Sequence, residues 1–225
     1  MQCMERSVCF LSWSLIVGGF LYFVRQLKSH TEYGRYTQTD APRMMVPAKA
    51  AWFLQELPSF LVPVFLLLTT DTSHGLGRSI HLWTFCLHYF HRTFIYSPLT
   101  KGRPCPLFVM VSAAVFCSLN GFLQGHYMLH CAHYHDTWHT DVRFIMGERI
   151  RTYGGMFRWV SGANFFGEIL EWCGYTVATW SLPSFAFAFF TVCSIGPRAY
   201  HHHKFYLEKF DNYPKSRKAV IPFLF

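Results

Sequence analysis

The sequence predicts an all-α integral membrane protein, a multi-span helical bundle, and three observations carry that prediction. Of its 225 residues 52% are hydrophobic, 19% aromatic and only 14% charged, against about 25% charged in soluble domains. Six long apolar runs are separated by polar loops. Phe and Trp are spread through the runs, while Tyr and His gather near their ends, as interfacial belts require.

The first run, Ser7–Val24, resembles a signal peptide in position only. Its leader MQCMERS balances one acid with one Arg, and no small-x-small cleavage site follows Phe23, so an uncleaved first helix is expected. The second, Ala50–Thr70, begins with Trp52, Gln55 and Glu56 on adjoining turns of one face, just before Leu57-Pro58. There Glu56 marks either a helix end or a site. The third, Ile80–Tyr96, carries HYFHR (His88 to Arg92) and leads into KGRP (Lys101 to Pro104). The fourth, Pro106–Leu123, runs into Gly121-x-x-x-Gly125, a weak signal for a helix-packing face. Val160–Trp180 and the shorter Pro183–Gly196 read as a hairpin turning at Ser181–Ser184. Most runs reach the ~17–25 residues that a crossing needs.

Within the fifth run, Asn164, Glu168, Glu171 and Tyr175 recur at i, i+4, i+7 and i+11. On a helix they form one polar stripe in an apolar wall. Acids at membrane depth are costly and face a protein interior or a wet cavity, so the stripe is expected to mark a ligand pocket.

A net charge of +8 excludes neither membrane nor nucleic acid, but its distribution speaks for the membrane. Arg25, Lys28, Arg35, Arg43 and Lys49 lie in the first loop, Lys101 and Arg103 in the third, and six bases from Arg198 to Lys218 in the tail. Loops, not one helical face, carry the charge, as the positive-inside rule leaves it; no nucleic-acid partner is expected. Six crossings then put Arg143, Arg149, Arg151, Arg158 and the tail on the wrong side. A seventh crossing within Gln124–Trp159 would repair this, yet that stretch holds no apolar run. Eight cysteines without CxxC pairing predict neither a disulfide framework nor a zinc knuckle.

The histidines cluster as His88 and His91; His126, His130, His133, His135 and His139; and His201 to His203. His126, His130 and His133 share a face able to hold a metal, but no H-x-x-H-H box occurs. Interfacial histidines making hydrogen bonds are the favoured reading, and no metal is expected. No Gly-rich nucleotide loop exists either, so a dinucleotide would rest on helix ends and Arg side chains.

VPAKAAWFLQELPSF, HYFHRTFIY, KGRPCP, NGFLQGHY, SGANFFGEILEWCGY and AYHHHKFYLEKFDNYPKSRKAVIPFLF together resemble the steroid 5-alpha-reductase family (3-oxo-5-alpha-steroid 4-dehydrogenases) over nearly the whole chain. HYFHRTF, SGANF, ATWSLP and the HHH triplet are closer to its second isozyme than to its first. The resemblance implies NADPH-dependent reduction of the 4,5 double bond of a 3-oxo-4-ene steroid such as testosterone, within seven transmembrane helices of the endoplasmic reticulum membrane. It implies that Glu56 and Tyr89 grip the 3-ketone inside one dry cavity, Glu56 as a neutral donor, with Trp52 and Gln55 beside them and Trp172 facing the steroid. Arg92, Arg103, Asn164, Glu168, Arg198, His202 and Tyr206 match cofactor-side positions, as do Tyr33 and Arg217. The chain is expected to be one membrane-embedded reductase domain, with N-terminal helices over 1–119 and a C-terminal steroid dehydrogenase region over 120–225.

One departure stands out. After RFIMG the chain passes almost directly to ERIRTYGGMF, losing on the order of thirty residues, one crossing and its loop. The C-terminal region is therefore expected to be internally shortened near 147–153, after Gly147. About six crossings remain, and the C-terminal helices must insert inverted or be forced into a strained arrangement. Other readings weighed are a non-catalytic steroid-binding protein (including one that pairs with the complete isozyme), a lipid or sterol enoyl reductase, and a di-iron lipid hydroxylase. No sequence feature specifies an oligomeric state.

Overall fold

The computed structural model of the chain describes residues 2–29, 37, 43–70, 75–135, 137–151, 160–214 and 216–221. Six long helices are present among them: α1 (Glu5–Lys28), α2 (Ala48–Leu68), α3 (Leu76–Phe90), α5 (Leu107–His126), α7 (Ala163–Thr179) and α8 (Leu182–Lys209). A short α4 (Ser97–Leu99) and a ten-residue α6 (Val142–Arg151) complete the set. Three helical runs are long and apolar enough to cross a membrane by themselves: α1, α2, and α5 with its extension to Cys131. The protein is an all-α, multi-pass membrane protein.

The helices form two compact units. The first comprises residues 1–8 and 31–138. Here α2 packs on α5 because glycines permit it: a Cβ at Gly121 or Gly125 would meet Pro58, Ser59 or Pro63 at about 3 Å. The weak glycine signal is thus the α2–α5 contact. Ser59 donates to the Cys117 carbonyl at 2.9 Å in the same seam. Beyond α3 the chain stays helical, widening into a π-turn over His91–Tyr96 before α4. Two short strands not foreseen in the sequence, β1 (Met45–Val46) and β2 (Cys105–Pro106), pair antiparallel and join the first loop to the third.

A disulfide links Cys3 to Cys131 in this unit, correcting the expectation of none. The partners lie 128 residues apart, so no local spacing announces them. They meet because the residues before α1 pack on the end of α5, where Met4 N–H also donates to His126 Nε2 at 3.1 Å.

The second unit comprises residues 9–30 and 139–225. In it α8 runs parallel to α1. Gly19 abuts Phe190, Tyr22 stacks on Phe190, Gln26 Nε2 donates to the Ser194 carbonyl at 2.8 Å, and His201 meets the Gln26 carbonyl at 3.2 Å. The helices α7 and α8 form the predicted hairpin. Trp180 turns it in the left-handed conformation (φ 48°), and Ser181, accepting from Ser184 N–H, caps α8.

Asp141 caps α6, accepting from Arg143 N–H at 2.8 Å; the Arg143 side chain on the same carboxylate holds it below the usual carboxylate range. Antiparallel to the C-terminal half of α7, α6 has Arg143 over the Trp180 ring and Gly147 facing Gly174 and Ala178. Ten residues at ~1.5 Å each cover about half of a ~30 Å hydrocarbon core. Within this unit α8 keeps the same sense as α1. The basic end of α8 stays level with Arg25 and Lys28 at the end of α1, and α6 stands as a half-length helix against α7.

Two expectations follow. A protease added to one side of sealed vesicles should remove a C-terminal tag together with a tag placed after Lys28, sparing an N-terminal one. Cleavage of the two terminal tags together would contradict the parallel α1–α8 pair. A Cβ at Gly147 would sit 2.5 Å from the Gly174 carbonyl oxygen and 2.6 Å from Ala178 N. Neither backbone atom can swing aside, so Gly147→Ala should cost ~1–3 kcal/mol, read as a lowered melting temperature in detergent.

Candidate active site

In the first unit α2, α3 and α5 each carry buried polar side chains. Gln55, Glu56 and Ser59 of α2, Tyr89 of α3, and Asn120 and Gln124 of α5 are all buried. Glu56 Oε1 accepts from an Arg92 guanidinium nitrogen at 2.9 Å. The π-turn after α3 carries Arg92 and closes with Ser97 Oγ donating to the Arg92 carbonyl at 2.9 Å. The guanidinium also lies over the Trp52 and Tyr96 rings at 4.8 and 4.9 Å, contacts that favour a cation partly withdrawn from water.

This arrangement alters one expectation. Glu56, expected as a donor to the ketone, is found in ion-pair contact with a guanidinium. Arg92, expected on the cofactor side, is its partner. In the same unit Asn120 Nδ2 donates to the Tyr89 hydroxyl at 3.5 Å, and Gln124 Nε2 to Asn120 Oδ1 at 3.2 Å. Tyr89 also packs on Phe85, at 4.8 Å between ring centres with the rings tilted by 49°. Arg103 is exposed just before β2.

The second unit holds most of the cofactor-side candidates. Arg198 donates to the Tyr22 hydroxyl at 3.0 Å, and His202 Nε2 lies 3.2 Å from the Tyr206 hydroxyl. The Phe165 ring sits edge-on to His202. Asn164 is exposed on the first turn of α7 and Glu168 half-buried one turn on. Trp172 is buried against Phe187 at 4.4 Å and Tyr175 at 5.8 Å. Arg217 lies 5.5 Å over the Tyr213 ring. Tyr33 lies outside the described residues.

The polar stripe of α7 divides by environment. Asn164 and Glu168 lie toward its start, Tyr175 is wholly buried, and Glu171 faces Arg151 at 3.8 Å, which Glu148 also holds at 2.9 Å. Glu171 thus shares the single guanidinium of Arg151 with Glu148.

Histidines in both units make hydrogen bonds. His130 meets Thr70, His133 meets Arg78, and His81 accepts from Trp138 Nε1. Among the described residues no three His, Cys, Asp or Glu side chains gather as metal ligands.

Sequence reasoning missed Asn120, Gln124 and Tyr96. The first two carried a signal, an amide pair at i and i+4 inside an apolar run. Tyr96 carried none, because only the π-turn brings it over Arg92.

The family model for 3-oxo-5-alpha-steroid 4-dehydrogenase matches residues 103–151 and 146–225, in two pieces that overlap at 146–151. A protein of Macaca fascicularis called 3-oxo-5-alpha-steroid 4-dehydrogenase 2 is 47% identical over 253 positions, covering all of this chain and 99% of the relative. Its Homo sapiens counterpart is 46% identical with the same coverage. The chain belongs to the 3-oxo-5-alpha-steroid 4-dehydrogenase family. Homo sapiens isozyme 1 is 39% identical over 251 positions, covering 98% of this chain and 96% of the relative, so the second isozyme is the nearer of the two, as the motifs suggested. The 253 aligned positions exceed the chain's 225 residues by 28, and the break between the two family-model pieces falls on α6.

The ion pair has a measurable consequence. Replacing Arg92 by Met should leave Glu56 buried and uncompensated, costing about 3–5 kcal/mol. The double variant with Glu56→Gln should recover most of that loss, since it removes the stranded charge. Equal destabilisation of the single and double variants would show that the pair carries no net interaction.

Proposed function

We propose that this chain is a steroid reductase by ancestry and architecture, built to reduce the 4,5 double bond of 3-oxo-4-ene steroids such as testosterone with NADPH. It would act in the endoplasmic reticulum membrane. The observation that supports this reading is a set of buried polar side chains on α2, α3 and α5, Glu56, Tyr89 and Asn120 among them, inside an otherwise apolar bundle. A steroid offers one or two oxygens on a large apolar body, and such a set suits it.

Reduction of the enone builds negative charge on the ketone oxygen. Donors fixed beside that oxygen in a dry site stabilise the charge most. Tyr89, accepting from Asn120, presents its own O–H as the donor. Glu56, buried in the same unit, is the second candidate. Its contact with Arg92 means that its role as a donor requires Arg92 to be drawn elsewhere. Trp52 and Gln55 line the same end of α2, and Trp172 is the steroid-facing candidate of α7.

NADPH, when bound, supplies the hydride. The donor set of the second unit fits its phosphates and amide: a guanidinium on Arg198, imidazole and phenol on His202 and Tyr206, an exposed amide on Asn164 and the carboxylate of Glu168. Arg92, Arg103 and Arg217 add cations suited to bidentate phosphate contacts, and Tyr33 is a further candidate.

The missing 28 positions bear on activity. We place the loss at α6, where a half-length helix stands and the two family-model pieces meet. A crossing shortened by half removes cofactor-side backbone while leaving the first unit intact. The chain is therefore proposed to retain ligand binding with little or no turnover, which makes a non-catalytic steroid-binding role the second reading. Microsomes expressing this chain should convert little labelled testosterone with NADPH, and a chain with the missing segment restored should convert it readily. Full turnover by the chain as it stands would overturn the proposed loss of activity.

A further inference from the structure

The tail beyond α8 returns to the start of α7 and touches both elements that carry the cofactor-side candidates. Ser161 N–H donates to the Lys218 carbonyl at 2.8 Å and Gly162 N–H to the Ala219 carbonyl at 3.0 Å, while Val160 pairs in parallel with Lys218. Ala219 and Val220 are buried against Phe165, Phe166, Ile169 and Ala199. A Cβ at Gly162 would lie 3.0 Å from Ala199 Cβ and 3.1 Å from the Ala219 oxygen. The side chains close the contact. Ser161 Oγ lies 2.7 Å from His203 Nδ1 and 2.8 Å from the Tyr213 hydroxyl. The Tyr213 ring in turn stacks on Tyr206, 5.3 Å between centres and 14° from parallel.

We propose that this tail is a positioning clamp for NADPH, with Ser161 and Tyr213 as its positioning residues; the inference rests on reading the α7 and α8 residues as cofactor-facing. Gly162 caps α7, so pinning the backbone at 161 and 162 fixes the turn that carries Asn164. The Tyr213 ring holds Tyr206, whose hydroxyl meets His202 at 3.2 Å, so the same clamp sets the α8 ligands. Burial, then the nearby Lys218 ammonium, lowers the His203 imidazole below its ordinary range. With that ring neutral and its proton on Nε2, Ser161 donates to Nδ1 and Tyr213 donates to Ser161. The relay is then ordered in one direction.

The test uses the full chain in lipid nanodiscs, with NADPH affinity read by nicotinamide fluorescence and steroid affinity by labelled testosterone. Tyr213→Phe keeps the ring stack and loses only the hydroxyl. It should weaken NADPH about fivefold, the scale of one hydrogen bond, with testosterone affinity and melting temperature unchanged. Ser161→Ala, which loses both the Tyr213 and the His203 contact, should weaken NADPH at least as much. The double variant should be no weaker than Ser161→Ala, because the Tyr213 hydroxyl acts through Ser161. Unchanged NADPH affinity in Tyr213→Phe overturns the clamp, as does a loss matched by equal falls in testosterone affinity and melting temperature. A wild-type chain that binds no NADPH defeats the proposed function itself, and the clamp falls with it.

Discussion

A carboxylate cannot stay charged and alone among hydrocarbon side chains, since its desolvation costs several kcal/mol, and the first unit is organised around how Glu56 meets that constraint. Its partner, Arg92, sits beyond the regular end of α3. The α-helix gives way there to a π-turn, a local widening often found at functional positions. The guanidinium lies over Trp52 from α2 and Tyr96 from the turn. The pair thus ties α2 to α3, while the glycine faces and Ser59 tie α2 to α5. With three helices held in this way, Tyr89, Asn120 and Gln124 have few places to turn but inward.

The same rule acts again in the second unit. Glu171 lies in an apolar stretch of α7, and Arg151 at the end of α6 faces both it and Glu148. Placement of that arginine depends on the close approach of Gly147 and Gly174, which brings two helix backbones nearly into contact. A shortened chain is left with a half helix, and it places a compensating charge where the helix ends. The parallel course of α1 and α8 keeps the bases near the end of α1 and those of the tail at one end of the unit.

The histidines and cysteines show the limits of counting residues. Spacing suited to a metal placed His126, His130 and His133 on one face, yet each finds a different partner: the Met4 amide, Thr70 and Arg78. Conversely, scattered cysteines suggested no crosslink, and Cys3 and Cys131 form one. Both outcomes follow from contacts between segments far apart in the chain, which composition and local spacing do not encode.

Residue pattern alone was enough for the helical membrane class, the hairpin at Ser181, the family and the shortfall near Gly147. Each of these is local or additive: hydropathy sums along a run, and turn chemistry and motifs are read in place. Tertiary structure alone decided that Glu56 is ion-paired, that Glu171 faces Arg151, that α8 runs beside α1 in the same sense, and that the tail returns to Ser161. Those are pairings between surfaces distant in sequence. Their free energy lies in burying and matching charges and hydrogen bonds across helices, and no single stretch of sequence contains both partners.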